Sequence, residues 1–188
     1  MSWFNYKKRF VWDDIKFPVS NVKAIPGKEA TEQVYRGGIV LKFESGTDNG
    51  IAFNVQLPHS YKLGTDLDYH IHYILPVAGA GAGVENMKWD LTYSWASIGT
   101  SMPTEVTLTN TVDVQNFSAD THYIFDIGDV LRSNANLNVN MGGVSQMLIC
   151  SLTRDTTVAN NYGSDIYLME SDFHIQKDTL GSKSEYTK

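Results

Sequence analysis

Cysteine is nearly absent from the 188-residue chain, which contains only Cys150. A single cysteine excludes a disulfide within the chain. Its neighbours, the apolar run 147–149, predict a buried small hydrophobic residue, because a reactive thiolate needs an activating group beside it.

Long apolar runs are absent as well. No stretch approaches the ~18 consecutive apolar residues of a membrane span. Residues 1–14 lack the continuous apolar core of a signal peptide. We therefore expect a chain that is made in the cytoplasm and has no membrane partner.

Basic residues are few, with 15 Lys and Arg against 21 Asp and Glu and a formal net charge of −6. Nucleic-acid binding depends on Lys and Arg that displace counterions from phosphates. The basic cluster Lys7-Lys8-Arg9 is short, so we expect no nucleic-acid partner. The glycine-rich segment 76–84 lacks the Gly-Lys-Ser/Thr ending of a phosphate-binding loop and predicts a surface loop.

The chain shows no convincing long helix, and alternation of polar and apolar residues dominates instead. In residues 87–95, for example, apolar and aromatic side chains occupy every second position, which is typical of a half-buried strand. Strands are predicted at 38–43, 51–57, 67–75, 87–95, 104–114, 122–127, 145–154 and 165–176, with a weaker one at 137–141. About eight strands at this spacing predict an all-β fold, a single antiparallel sandwich of jelly-roll type.

The first 36 residues predict an extended arm outside this sandwich. The arm contains the aromatic residues Trp3, Phe4, Tyr6, Phe10 and Trp12. Exposing so many aromatic rings is unfavourable, so we expect them to anchor the arm on a partner or on the domain surface. The predicted division is an arm at 1–36, a sandwich at 37–176 and a polar tail at 177–188.

The segment 58–73 contains three of the five histidines, and two of them lie on a predicted strand. His70 and His72 point to one face of that strand, because successive side chains of a strand alternate. With His174, or with His59, as a third ligand they form a candidate divalent-metal site. The alternative is a packed polar seam that holds a sheet or a subunit interface together. Apart from this possible metal, no cofactor is predicted.

Enzymatic motifs are not found. The chain has no Gly-x-Ser-x-Gly elbow and no His-Glu-x-x-His sequence. Arg154 and Asp155 end the most apolar predicted strand. They indicate a charge pair at a sheet edge, or an interface anchor if two copies of that strand end meet.

Several dispersed motifs resemble those of small structural proteins of tailed bacteriophages. The shared pattern reads W-D-D-x-x-F-P-V, then P-H-S/A with a later His-x-His, an apolar strand ending in Arg, Asp-x-His and Asp-x-x-Gly-Ser. The matching positions are Trp12 to Val19, Pro58 to Ser60, His70 and His72, Arg154, Asp172 and His174, and Asp178 to Ser182. The resemblance spans nearly the whole chain, although residues 78–143 depart from the pattern.

This resemblance implies a virion component without enzyme activity. We expect a homotrimer that decorates or cements the capsid or serves as a tail adaptor, in contact with major capsid or tail proteins. Two other functions stay open: a carbohydrate- or receptor-binding β-sandwich, and a small metal-dependent enzyme of cupin type using His70, His72 and His174.

Overall fold

The structure, a computed structural model, describes residues 10–137 and 143–183 as two facing antiparallel sheets. The strands are β1 (Val11–Pro18), β2 (Lys23–Ala24), β3 (Thr31–Tyr35), β4 (Gly38–Phe43), β5 (Gly50–Gln56), β6 (Leu67–Ile74), β7 (Asn86–Ala96), β8 (Val106–Asp113), β9 (His122–Val130), β10 (Met147–Asp155) and β11 (Ile166–Lys177). Short 3-10 turns occupy Val19–Asn21 and Arg132–Asn134. Within the described residues no helix is long and apolar enough to cross a membrane.

The pairing of β4 to β11 is nested, which is the arrangement of a jelly roll. β7 pairs with β8, β6 with β9, β5 with β10 and β4 with β11. Sheet A has the order β3-β4-β11-β6-β9, and sheet B has the order β2-β5-β10-β7-β8. The predicted fold class is therefore confirmed, with β1 to β3 added to the eight central strands. The weak strand predicted at 137–141 lies almost wholly outside the described residues.

Aromatic side chains fill the space between the sheets. The rings of Phe53 and Tyr69 are stacked with centroids 5.9 Å apart, and the ring of Phe173 lies 4.7 Å from that of Tyr69. On β7 the indoles of Trp89 and Trp95 are fully buried. Because successive side chains of a strand point to opposite faces, the residues between these rings belong to the outer faces of the sheets.

The N-terminal segment differs from the predicted arm. β1 pairs with β11 from Val11↔Lys177 to Pro18↔Glu170, and β2 and β3 pair with β5 and β4. β1 does not alternate clearly in sequence because it lies at an edge, where Phe17 alone is buried. Phe17 packs at 4.8 Å from Phe53. The predicted aromatic anchors, which did not include Phe17, divide into two groups: Phe10 and Trp12 are exposed, whereas Trp3, Phe4 and Tyr6 lie outside the described residues.

Arg154 is fully buried, which corrects its predicted role as an edge charge pair or interface anchor. Its guanidinium donates hydrogen bonds to the carbonyl oxygens of Phe43 and Ser164, each at 3.0 Å, and to that of Tyr162 at 2.6 Å. Burial lowers the pKa of Arg154 to about 10, so the side chain stays charged at neutral pH. Arg154 therefore ties β10 to β4 and to the loop before β11 within one chain.

Replacing Arg154 with Met leaves three backbone carbonyls without their donor. Each buried acceptor left unsatisfied costs about 1–3 kcal/mol, so we expect a large loss of unfolding free energy in urea. Arg36 is the control, because its ion pair with Asp120 is exposed and such pairs add little. Equal urea midpoints for Arg154→Met and Arg36→Met would contradict this account.

Asp155 pairs with Lys88 across β10 and β7 at 2.5 Å and accepts hydrogen bonds from Thr157. The bonds from Lys88 and Thr157 lower the pKa of Asp155 to about 2, below its ordinary value of 3.8. A carboxylate whose pKa falls on folding stabilises the folded state above its unfolded pKa. This contribution is lost as the pH falls from about 4 to about 2.

We expect Asp155→Asn to flatten the stability profile in that acid window. Urea unfolding measured between pH 2 and pH 5 checks this. The control is Glu105→Gln, an exposed position in the loop just before β8, which should keep the acid-dependent loss. If the unfolding free energy of Asp155→Asn still fell with pH as steeply as that of the wild type, other carboxylates would be responsible for the acid-dependent loss.

Candidate functional site

Polar and titratable side chains gather on the outer face of sheet A, where β1, β11, β6 and β9 lie side by side. The register places Asp14 opposite His174, His174 opposite Asp68, and Asp172 opposite His70. These residues alternate with core residues such as Tyr69 and Phe173. The same alternation that builds the core therefore builds this face.

Four imidazole rings form a continuous line across the face, which we call the histidine row: His174, His70, His72 and His122. Neighbouring ring centroids are 4.1 Å apart for His174 and His70, 5.2 Å for His70 and His72, and 5.1 Å for His72 and His122. At one end the indole of Trp12 lies 6.4 Å from His174. Five rings from four strands are thus brought together.

The carboxylate of Asp172 lies beneath the histidine row and is 1% exposed. Its Oδ1 is 2.6 Å from Nε2 of His70, and its Oδ2 is 3.6 Å from Nε2 of His72. Oδ1 nevertheless accepts no well-aligned hydrogen bond. The two histidines of the His-x-His sequence therefore converge on one buried acid.

His174 is held by different acids. Its Nε2 lies 3.0 Å from Oδ1 of Asp14, and its Nδ1 lies 3.8 Å from Oδ2 of Asp68. A depression of 270 Å³ covers this part of the face, and Asp126 and Lys16 also line it. Its lining contains four carboxylates and a single ammonium group, so the depression favours cationic or hydroxyl-bearing ligands over anions.

The pKa values of titratable groups on this face shift in different directions. Burial opposes the charged form of His70, but the nearby Asp172 carboxylate raises the pKa of His70 above its ordinary value. Burial lowers the pKa of His72, against the opposite effect of Asp172. Burial and the neighbouring Asp126 raise the pKa of Asp68.

The three predicted metal ligands, His70, His72 and His174, do lie together. His59, the alternative third ligand, lies elsewhere, with its Nδ1 2.6 Å from Oγ of Ser182 and its Nε2 2.8 Å from Oγ of Ser145. Three overlapping groups have donor atoms within 4.8 Å of one another. They are Asp68-His70-His174, His70-His72-Asp172 and Asp14-Asp172-His174.

Sequence reasoning missed two members of the site. His122 was not assigned to it, although its Nε2 lies 2.8 Å from Nδ1 of His72. The two residues are 50 positions apart, and only the pairing of β6 with β9 joins them. Trp12 was predicted to anchor an arm, whereas it stands at the rim of the depression because β1 pairs with β11. Asp172 could have been assigned to the site from the sequence, because it lies two residues before His174 on a predicted strand and therefore shares a face with it.

No protein-family model and no curated protein sequence matches the chain. Among solved structures, the chain is similar to a carbohydrate-binding module, CBM28, described as specific for non-crystalline cellulose. That match has 10% identity, a TM-score of 0.39 and coverage of 84% of this chain and 86% of the other. The family 11 carbohydrate-binding module of Clostridium thermocellum, solved with a β-1,3-1,4-mixed-linked tetrasaccharide, matches at 10% identity and a TM-score of 0.34, over 86% and 87% of the two chains. These likenesses are of the fold alone.

Proposed function

We propose that the chain is a non-catalytic β-sandwich module that binds a carbohydrate on the outer face of sheet A. The observation that supports this most is the position of Trp12. Its indole is 58% exposed and stands beside His174 at the edge of a depression lined by polar side chains.

A sugar ring presents apolar C–H groups on its faces and hydroxyl groups around its rim. An exposed indole offers a flat apolar surface to such a face. The carboxylates of Asp14 and Asp68 and the ring nitrogens of His174 can pair with the hydroxyl groups, and hydrogen bonds to ionised acceptors are among the stronger ones. An aromatic surface with a few convergent polar groups is the usual composition of a ligand site.

The charge of the depression narrows the class of glycan. Carboxylates outnumber the single ammonium of Lys16, which is itself 3.6 Å from Glu170. Sialylated or uronic sugars would bring further negative charge to these acids. We therefore assign neutral or amino sugars to the site.

Trp12→Ala removes the proposed stacking surface while leaving the backbone pairing of β1 in place. Truncating an anchoring tryptophan costs about 2 kcal/mol or more, which is roughly a 30-fold loss of affinity. A glycan array identifies the ligand, and calorimetric titration of wild type and variant measures the loss.

The matched control is Ile149→Ala, because Ile149 is 53% exposed on the outer face of sheet B. It should bind the same glycan with unchanged affinity. An array without signal, binding restricted to acidic glycans, or equal affinity for Trp12→Ala and wild type would each refute the proposed site.

A second proposal is that the chain assembles as a virion structural protein, a homotrimer on capsid or tail proteins. It is supported by the way the phage-like motifs meet in space. Ser182 contacts His59 of the Pro-His-Ser motif, and the Asp178 amide donates to the carbonyl of Ser60 at 3.3 Å. The apolar side chains of Phe10 and Val11, 48% and 58% exposed, lie at the start of β1.

Residues 1–9 lie before all the described strands, so their deletion removes Trp3, Phe4 and Tyr6 and leaves the strands intact. We expect the full chain to have three times the 21.0 kDa chain mass in light scattering and the deletion variant to be a monomer. A monomeric full chain, or a trimer that survives the deletion, would refute the anchoring role. Glycan binding is measured separately and does not depend on this result.

A further inference from the structure

We propose that His70, His72 and Asp172 bind one divalent transition-metal ion in the middle of the histidine row. This inference does not depend on carbohydrate binding at Trp12. It also changes the predicted ligand set, since Asp172 takes the place that the sequence suggested for His174.

The first argument is the state of Asp172. A carboxylate that is 1% exposed must be paired, because an uncompensated buried charge is strongly unfavourable. Oδ1 has Nε2 of His70 at 2.6 Å but accepts no aligned hydrogen bond. A buried carboxylate oxygen that lacks an aligned donor and lies beside imidazole nitrogens is suited to ligate a cation.

The second argument is the support behind His72. Its Nδ1 lies 2.8 Å from Nε2 of His122, while its Nε2 is directed toward Oδ2 of Asp172. Metal-binding histidines almost always donate their second ring N–H to a neighbour, which fixes the tautomer and the ring orientation. If His72 donates to His122, its Nε2 presents a lone pair to Asp172, and a cation between them removes the repulsion.

The third argument is burial, which separates this group from the two that overlap it. Side-chain exposure is 6% for His70, 20% for His72 and 2% for Asp172. Both overlapping groups include His174, whose side chain is 39% exposed. One of them also includes Asp14, which is 36% exposed, and the other includes Asp68, which is 35% exposed. The two nitrogens of His174 also lie near separate acids, Asp14 and Asp68, whereas His70 and His72 both have Nε2 near the carboxylate of Asp172.

Donor spacing fits a small ion. Bonds of about 2.0–2.1 Å in a tetrahedral site separate donor atoms by about 3.3 Å. The 3.6 Å between His72 and Asp172 is close to that value. The 2.6 Å between His70 and Asp172 must open by about 0.7 Å, which a small rotation of either side chain provides. Two imidazoles and one carboxylate suit zinc or ferrous iron, with the remaining position open to the depression.

Titration of chelator-treated protein with ZnSO4 at pH 7.5 tests the proposal, with Co²⁺ absorbance as a second report of coordination. We expect one ion per chain. His72→Ala and Asp172→Asn should weaken binding by at least about 100-fold, and His122→Ala by about 10–100-fold, the usual effect of losing a partner behind a ligand. His174→Ala should bind within about threefold of wild type.

His59→Ala is the matched control, because His59 lies outside the row and is bonded to two serines. It should bind like wild type. Wild-type protein that takes up no stoichiometric ion would overturn the proposal, as would loss of binding in His174→Ala with retention in His72→Ala. Ring ¹⁵N spectra of the wild type need no variant to fold. The signals of His70 and His72 should shift with Zn²⁺ while that of His59 does not, and the reverse pattern would also overturn it.

Discussion

The antiparallel pairing of β6 with β11 is the interaction on which the rest of the structure depends. Its register aligns Tyr69 with Phe173 on the inner face and His70 with Asp172 on the outer face. The inner pair joins the aromatic core, so a slip of one residue would turn those rings to the outer face and direct the acid and the imidazole into the apolar core. Burial of apolar surface therefore fixes the register that sets the arrangement of the polar face.

Much of this pairing can be read from residue order. Alternation in β6 and β7 indicates which side chains face the core, and the position of Asp172-Phe173-His174 within the predicted strand 165–176 makes it a natural neighbour of His-x-His. The even spacing of strands and turns is enough to propose the jelly roll. These features are local or periodic, and local periodicity is the strongest signal that a single sequence offers.

The features that sequence reasoning missed depend on distant contacts. β1 is exposed on both faces for most of its length, so its sequence shows no periodicity, and its place in sheet A comes from hydrogen bonds to β11. Arg154 follows an apolar strand and resembles an edge charge, because the carbonyls that it binds belong to residues such as Phe43, 111 positions away. His122 joins His72 only through the β6–β9 register. Buried polar groups and edge strands are hard to predict for the same reason: their partners are brought close by the tertiary fold and are not their neighbours in the sequence.

The pairing of β1 with β11 has a consequence for biosynthesis. Val11 lies opposite Lys177, so the pairing of β1 with β11 cannot be completed until residue 177 has left the ribosome. The nested order of the other strands delays pairing in the same way, because the second strand of each outer pair is synthesised after the second strand of the inner pair. Proteins dominated by such remote contacts fold slowly, and the nascent chain would leave the edges of β4 and β6 that pair with β11 open to chaperones or to neighbouring chains until β11 has been synthesised.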